Sequence, residues 1–351
     1  MLSRKLSPLI ILVCSIVLFG CTEEDASKYK WTLQSHAVKT SIDYIELEKM
    51  TDNIRLMSNG RLDITPKSAG EIVGGPSIFD AVSERKIEMG NGWPNWWSGQ
   101  HPAWAVMNAG PFDFMNLDAS MMFFLADEGT SLANELSAPK GIIWRPAWWP
   151  GMEFGLLSKE PIRSLEDLRE KRVRIGPGLP SEVLAEASGA FTIPLVPSEI
   201  RPALENNNLD AVEWTTTAGA WNLGLQDFSS HAIVPAIWQP SVLADFLINQ
   251  SAYAELPEDL QAILETAIKS YTLTTTLMAK KEDVAALKQF KENGTQFNRW
   301  SDEDLIRWRQ ASDKILEIYK NRDPFSKRLI EKKQFFKREY NKYYEVFGAY
   351  E

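Results

Sequence analysis

Two charged residues lie where the residue pattern predicts the ends of β-strands. Arg174 lies between Val173 and Ile175, just before the Gly-Pro-Gly turn at 176–178, and Glu213 lies beside Trp214 within Leu209–Thr215. A guanidinium at a strand end offers a planar fork of N–H donors to a carboxylate, and burial of either charge without a partner would be costly. The pattern predicts a binding site for a small carboxylate. The alternative is that both residues are exposed or pair with each other.

Tryptophan is the unusual residue type of this chain, with 13 copies. Trp93, Trp96 and Trp97 lie in a segment of turn residues, 92–99, that follows a predicted strand. Open α/β sheets bind ligands in loops at strand ends, and aromatic walls suit small-molecule pockets. We therefore expect this tryptophan-rich segment to line a pocket, although clustered tryptophans can also fill a core.

No catalytic motif accompanies these residues. The sequence contains no P-loop, no G-x-G-x-x-G after a strand, no G-x-S-x-G and no H-E-x-x-H. The three histidines, His36, His101 and His231, have no metal-ligand spacing. A secreted hydrolase that acts through Glu213 stays open as an alternative, because glycosidase carboxylates leave no local sequence signature.

The elements that would position these residues alternate between strands and helices. The predicted helices are Ile42–Met57 and Ser77–Arg85, and the predicted strands are Trp31–Ser35, Leu62–Thr65, Ile87–Met89, Lys171–Ile175, Leu209–Thr215, Ala232–Ile237 and Val242–Asn249. This order is typical of an α/β chain with parallel strands and right-handed crossovers.

A different pattern begins after Pro257. No Gly or Pro occurs from Glu258 to Asn293, and the apolar residues from Leu260 to Tyr271 share one helical face. A single helix over this range would be roughly 54 Å long, which exceeds one small domain. We expect it to brace two domains or to contribute to a homodimer. Ser301 is expected to cap the helix that follows.

The N-terminal segment is typical of a secretory signal. Arg4 and Lys5 precede an apolar stretch of about 14 residues, which is shorter than the roughly 20 needed to span a bilayer. Leu18-Phe19-Gly20-Cys21 closes the stretch and resembles a bacterial lipobox. We expect residues 1–20 to be removed, Cys21 to carry lipid, and 21–28 to form a tether in the periplasm or cell envelope. The alternative is an uncleaved N-terminal anchor.

Composition excludes further classes. Cys14 and Cys21 are the only cysteines, so the mature chain would have neither a disulfide nor a cysteine metal site. Acidic side chains outnumber basic ones by 47 to 38, which argues against a nucleic-acid partner. The 351 residues are enough for two domains with a large core.

The chain carries a set of short segments whose order along the sequence is informative. They are Ala69–Val73, Ile78–Val82, Ile87–Gly90, Ser164–Leu168 leading to Val173–Ile175, Asp210–Trp214, and Val242–Asn249 followed by Ala254–Pro257. Together these segments resemble the solute receptors of TRAP (tripartite ATP-independent periplasmic) transporters. The similarity is closest to the branch that binds 2-oxo acids and related monocarboxylates, and it extends from about residue 30 to beyond 320.

The resemblance implies an α/β periplasmic binding protein with two domains and a long bridging helix. Domain I would comprise 29–150 and about 236–256, and domain II would comprise 151–235. Residues 257–351 would supply the bridging helix and C-terminal helices that pack on both domains. Such a protein is a receptor, not an enzyme, and it delivers a small organic acid to TRAP permease subunits. A receptor for a sugar or another uncharged ligand stays open, because tryptophans suit stacking.

The resemblance also implies roles for individual residues. Arg174 would bind the ligand carboxylate, Trp96 and Trp97 would line the pocket, and Glu213 and Trp214 would help to hold Na⁺ or Ca²⁺ at the ligand site.

Three departures from the branch accompany this assignment. Gln239 follows Trp238 where the branch has a second metal-binding Glu, Met152 stands where it has a Gln, and Thr215 begins a threonine run in place of Gly-Pro. Fewer oxygen ligands predict a weak or absent cation site. No other cofactor is expected.

Overall fold

The computed structural model describes residues 29–108, 110–195 and 197–348, so the predicted signal segment, the predicted tether and Cys21 lie outside the described residues. The strands are β1 (Tyr29–Gln34), β2 (Leu62–Lys67), β3 (Met89–Gly92), β4 (Ile142–Trp148), β5 (Leu156–Ser158), β6 (Arg172–Arg174), β7 (Phe191–Ile193), β8 (Ala211–Glu213), β9 (His231–Val234), β10 (Ala244–Asn249) and β11 (Gln296–Arg299). The helices are α1 (Ile42–Met57), α2 (Ile78–Ser83), α3 (Leu117–Ala126), α4 (Gly129–Ser137), α5 (Leu179–Ser188), α6 (Pro197–Glu205), α7 (Thr217–Asn222), α8 (Gln250–Glu255), α9 (Glu258–Glu292), α10 (Asp302–Arg322) and α11 (Pro324–Phe347). None of these helices has the length and apolar character needed to cross a membrane.

The strands form two mixed sheets. The first has five strands in the order β2-β1-β3-β10-β4, and the second has six in the order β11-β9-β5-β8-β6-β7. β10 runs antiparallel to β3 and β4, and β5 runs antiparallel to β8 and β9. The expectation of parallel strands was therefore wrong for β5 and β10, which the chain reaches by crossing from one sheet to the other.

We call the part of the chain built on the first sheet lobe I and the part built on the second sheet lobe II. Lobe I contains β1 to β4 and β10, whereas lobe II contains β5 to β9 and β11. β11 pairs in parallel with β9 at the sheet edge. From the sequence only helices are expected in this region, because the short polar run Gln-Phe-Asn-Arg carries little strand signal.

α9 joins the two lobes. Leu260, Leu264 and Ile268 in its first half pack into the core of lobe I. Near its other end, the Phe290 ring lies 4.8 Å from Phe154 and 5.1 Å from Trp221, both in lobe II. Its 35 residues correspond to about 52 Å at 1.5 Å per residue. The predicted fold class and the bridging helix are confirmed.

The turn after β3 begins with a close approach between a glycine and a tryptophan ring. A Cβ atom on Gly92 would lie 2.6 Å from Cζ2 of Trp97, so a glycine is needed where this ring folds back over the strand. Pro94 then begins a short 3₁₀ turn, Pro94–Gly99, which carries Trp96 and Trp97. The loop expected at this strand end is thus a compact helical turn, held against the strand that precedes it.

Candidate ligand-binding site

The two charged residues singled out in the sequence lie side by side at one edge of lobe II. β6 ends at Arg174 and β8 ends at Glu213, and these neighbouring strands run parallel with Arg174 opposite Val212. β5 runs the other way, so its first residue, Leu156, pairs with Glu213 at the same edge. The carboxyl ends of parallel strands are where open α/β sheets bind ligands.

The guanidinium of Arg174 is buried and already bonded within the protein. Nη1 donates to the main-chain oxygen of Glu213 at 2.7 Å and to its Oε2 at 2.9 Å. Nε and Nη2 donate to the main-chain oxygen of Leu195 at 3.2 and 3.0 Å, and the Trp214 ring centroid lies 4.9 Å from Cζ. An arginine has five N–H groups, so within the described residues one N–H of Nη2 remains for a further acceptor.

Glu213 is the partner that the sequence left open as an alternative. Its Oε2 also accepts from the main-chain N–H of Gly176 at 3.2 Å, and its Oε1 accepts from that of Thr215 at 3.3 Å. Thr215 has a positive φ of 39°, so the chain turns sharply where β8 ends. The main-chain oxygen of Thr215 accepts from Phe154 N–H at 2.8 Å, which ties this turn to the segment that enters β5.

Glu153 is a site residue that the sequence pattern did not indicate. Its side chain is 5% exposed, and its Oε1 accepts from Nε2 of Gln239 at 3.2 Å. Its Oε2 is buried without a hydrogen-bond partner among the described residues. Met152 is the neighbouring residue that the resemblance assigned to the ligand site. It forms an isolated β-bridge with Ser241. The available signal was one acidic residue within the otherwise uncharged stretch from Trp148 to Leu157.

Two carboxyl groups and one guanidinium therefore share a buried space. Burial, reinforced by the neighbouring Glu213 carboxylate, raises the pKa of Glu153 well above its usual range, and the bond from Gln239 and the charge of Arg174 oppose this only in part. Like charges close together in a buried site repel each other unless a proton or a cation lies nearby. When both carboxyl groups are ionised, the charge of Arg174 balances only one of them.

The oxygen atoms of this space fit a hard cation. Glu153 and Glu213 offer two carboxylates, one with an unpartnered oxygen, and Gln239 can turn its amide oxygen toward the same space. Na⁺ and Ca²⁺ prefer such oxygen ligands. The described residues contain no group of three or more His, Cys, Asp or Glu side chains arranged for a metal, so the amide or the bound ligand would complete the coordination.

The two tryptophans predicted to line a pocket have different environments in lobe I. Trp96 is half-buried, 6.1 Å from the His36 ring and edge-on to it. Trp97 is 1% exposed, and its Nε1 donates to Oδ2 of Asp245 at 2.8 Å. Trp96 is therefore partly accessible, whereas Trp97 lies in the core with its ring centroid 6.2 Å from that of Trp96.

A second cluster of aromatic side chains lies at the carboxyl ends of the lobe I strands. β1, β3 and β4 all run in one direction, and His36, Trp93 and Trp148 lie at or just beyond their ends. The Trp93 ring is 4.8 Å from His36 and 6.2 Å from Trp148. Lobe I thus contributes an aromatic surface, whereas lobe II contributes the charges.

Comparisons with known proteins agree with this architecture. The sequence profile of the DctP family, described as bacterial extracellular solute-binding protein, family 7, matches residues 34–322. A monocarboxylate 2-oxoacid-binding periplasmic protein of a Nostoc species is 28% identical over 338 residues, which cover 94% of this chain and 92% of that protein.

Two solved structures are similar over nearly the whole chain. A TRAP periplasmic solute-binding protein from Pseudoalteromonas atlantica, with bound sodium and pyruvate, has a TM-score of 0.83 and 25% identity, covering 91% of this chain and 97% of its own. A second, from Colwellia psychrerythraea with bound calcium and pyruvate, has a TM-score of 0.84 and 26% identity with the same coverage.

Proposed function

Because the chain belongs to the bacterial extracellular solute-binding proteins of family 7, we propose that it captures a 2-oxo acid or a similar small monocarboxylate and delivers it to a TRAP-type permease. Members of this family are solute receptors rather than enzymes, so the hydrolase alternative is set aside. The observation that carries the proposal is the buried guanidinium of Arg174 at a strand end, with one N–H still available.

Arg174 is the proposed anchor for the ligand carboxylate. Its Nη2 donates once to Leu195 and holds its second N–H for the ligand, and Trp214 covers one face of the guanidinium. A charge-assisted hydrogen bond in a water-poor site is among the strongest contacts open to a small ligand. A two-bond contact with the ligand requires Nη1 to exchange its bond with the Glu213 carboxylate for one with the ligand.

A cation is proposed to share this site, bound by Glu153, Glu213 and Gln239. The sequence predicted a weak cation site because Gln239 and Met152 replace oxygen ligands, but Glu153 supplies a second buried carboxylate that this prediction did not include. The cation would neutralise the paired carboxylates and attract an oxygen atom of the ligand. The related receptors with sodium or calcium beside pyruvate support this assignment.

Closure of the two lobes is the proposed way in which binding is signalled. The charges of Arg174 and Glu213 belong to lobe II, and the Trp96 face belongs to lobe I. A ligand that contacts both lobes binds the closed state better and therefore shifts the population toward it. Trp97 remains a candidate for the pocket only if the turn that carries it rearranges.

Lipid on Cys21 is proposed to hold the receptor at the cell envelope. The family is extracellular, and the sequence ends its apolar leader at Gly20-Cys21. The polar tether at 21–28 would allow the folded part to reach the permease.

The proposal is tested by calorimetry with pyruvate and longer 2-oxo acids, each compared with its uncharged methyl ester and with a neutral sugar. We expect the acids to bind without turnover and the esters to bind far more weakly. Mass spectrometry of ligand retained through a mild purification identifies the natural solute. Equal binding of acid and ester, or preference for a sugar, would contradict a carboxylate receptor.

A further inference from the structure

A buried carboxylate joins the aromatic turn of lobe I to the sheet beneath it. Asp245 lies in β10 and is 0% exposed. Its Oδ2 accepts two indole N–H groups, from Trp97 at 2.8 Å and from Trp144 at 2.7 Å. Its Oδ1 has no hydrogen-bond partner among the described residues. Trp97 comes from the 3₁₀ turn Pro94–Gly99, whereas Trp144 lies in β4.

A second set of hydrogen bonds links the backbone of Asp245 to His36, on the other side of the aromatic surface. Nδ2 of Asn91 donates to the main-chain oxygen of Asp245 at 2.8 Å. Because that amide nitrogen is the donor, Oδ1 of Asn91 is an acceptor, and it receives the Nδ1–H of His36 at 2.8 Å. His36 in turn contacts the rings of Trp93 and Trp96.

We propose that Asp245 is a positioning residue for ligand binding, which fixes the turn Pro94–Gly99 through Trp97 and thereby presents Trp96 and Trp93 to the bound solute. This inference rests on the proposed function, because it assigns the aromatic surface of lobe I to the ligand. Asp245 itself has no route to the ligand, since its side chain is fully buried.

The strength of this attachment depends on the charge of Asp245. Hydrogen bonds to an ionised carboxylate are roughly twice as strong as those to a neutral acid. Burial raises the pKa of Asp245 to about 7, although the bonds from Trp97 and Trp144 act in the opposite direction. The carboxylate therefore holds the turn more tightly above this pH than below it, and ligand affinity should rise as the acid ionises.

Other titratable groups near this network are few. Among the described residues, the side chains that donate to the Asp245 carboxylate are the indoles of Trp97 and Trp144, and neither titrates in this range. His36 is reached only through Asn91, and its Nε2 lies 3.4 Å from Asp43. Burial lowers the pKa of His36. A comparison with Asp245→Asn isolates the contribution of Asp245, because the variant keeps His36 and Asp43.

The test measures pyruvate affinity by calorimetry from about pH 5.5 to about pH 8.5. Asp245→Asn should lower affinity about five- to tenfold at the alkaline end, the effect of losing roughly one hydrogen bond, and have little effect at the acid end. Trp97→Phe should reproduce this loss. Trp144→Phe removes a bond to the same oxygen but lies in β4 rather than the turn, so it should change affinity less than about twofold.

Parallel pH profiles for the unaltered protein and Asp245→Asn would overturn the inference. So would an equal loss in Trp97→Phe and Trp144→Phe, which is the result of a purely structural role. The two Phe variants decide the matter if Asp245→Asn does not fold.

If the unaltered protein binds no 2-oxo acid, the proposed function fails, and the ligand-free tryptophan fluorescence becomes the readout. A transition near the Asp245 pKa of about 7 that Asp245→Asn lacks supports the attachment of the turn by Asp245, and its absence overturns the inference.

Discussion

Nη1 of Arg174 lies 2.9 Å from Oε2 of Glu213, and the two side chains are only 7% and 6% exposed. This buried ion pair joins the ends of β6 and β8. It also connects the proposed carboxylate anchor to a proposed cation ligand. Removing one member of such a pair leaves an uncompensated buried charge. Variants at either position therefore change the site as well as the ligand contact, and they need controls that separate the two effects.

Arg174→Ala should weaken pyruvate binding roughly 30- to 5,000-fold, as expected for loss of one partner from a desolvated charge pair. Arg174→Lys should recover only part of the affinity, because an ammonium keeps the charge but lacks the planar fork. Calorimetry measures both, and circular dichroism checks that each variant folds. Unchanged affinity in Arg174→Ala would refute the carboxylate assignment.

Arg172 supplies the matched control for this experiment. It lies in the same strand two residues earlier and pairs with Asp210 at 3.0 Å, but its side chain is 42% exposed. Arg172→Lys should change pyruvate affinity less than about twofold, because exposed ion pairs contribute little. A comparable loss in both lysine variants would indicate a general effect of altering β6 rather than a ligand contact.

Asp245 should make the free energy of unfolding depend on pH. Its folded pKa is about 7 against an ordinary value of 3.8, so between these values the folded state binds a proton that the unfolded state does not. Stability from this group is complete below the lower value and falls by up to about 1.4 kcal/mol per pH unit as pH rises toward the upper one. Urea unfolding should show this slope in the unaltered protein relative to Asp245→Asn; equal slopes would contradict it.

Much of the architecture was accessible from the sequence. α1 has the predicted bounds, and α9 ends within one residue of its predicted end, because apolar periodicity and the absence of Gly and Pro are local properties. Arg174 and Glu213 were identifiable because charged residues interrupt apolar strands. These signals need no knowledge of the tertiary structure.

The missing parts of the site depend on contacts between distant segments. Glu153 lies outside any strand, and its position beside Glu213 follows from the antiparallel register that pairs Leu156 with Glu213. The burial of Trp97 depends on Asp245, which is 148 residues away in the chain. No local pattern carries such information, so the sequence could not distinguish the role of Trp96 from that of Trp97.

Cys21 should be the mature N-terminus and carry lipid. Cys21→Ser removes the thiol that accepts the lipid but leaves the apolar leader, so the protein should shift from the membrane fraction to the soluble periplasmic fraction. Fractionation followed by mass spectrometry of the N-terminal peptide measures this. Cys14→Ser, which changes the other cysteine, should leave the membrane association intact. Membrane association that survives Cys21→Ser would indicate an uncleaved anchor instead.

α9 should also contribute to a homodimer. Leu273, Leu277 and Val284 are 53%, 57% and 66% exposed, and their spacing places them on one side of the helix. Light scattering should show a dimer at micromolar concentration, and Leu277→Lys should shift it toward monomer. Leu56→Lys is the control, since Leu56 is 71% exposed on α1. A monomer at all accessible concentrations would leave α9 only its role as a brace.

The cation site is where the expectation from the sequence and the arrangement in the structure differ most. With one carboxylate and a thioether the site would be weak, but Glu153 and Glu213 together should hold Ca²⁺ or Na⁺ because affinity rises with the number of charged oxygen ligands. Protein dialysed against a chelator in sodium-free buffer should bind pyruvate weakly, and added Ca²⁺ or Na⁺ should restore binding.

Glu153→Gln keeps the side-chain shape and removes one charge, so calorimetry without pyruvate should show Ca²⁺ affinity at least about tenfold lower. Glu255→Gln, at an exposed carboxylate paired with Arg85, should have no such effect. Pyruvate binding that is indifferent to chelation and to sodium would show that Arg174 alone holds the acid.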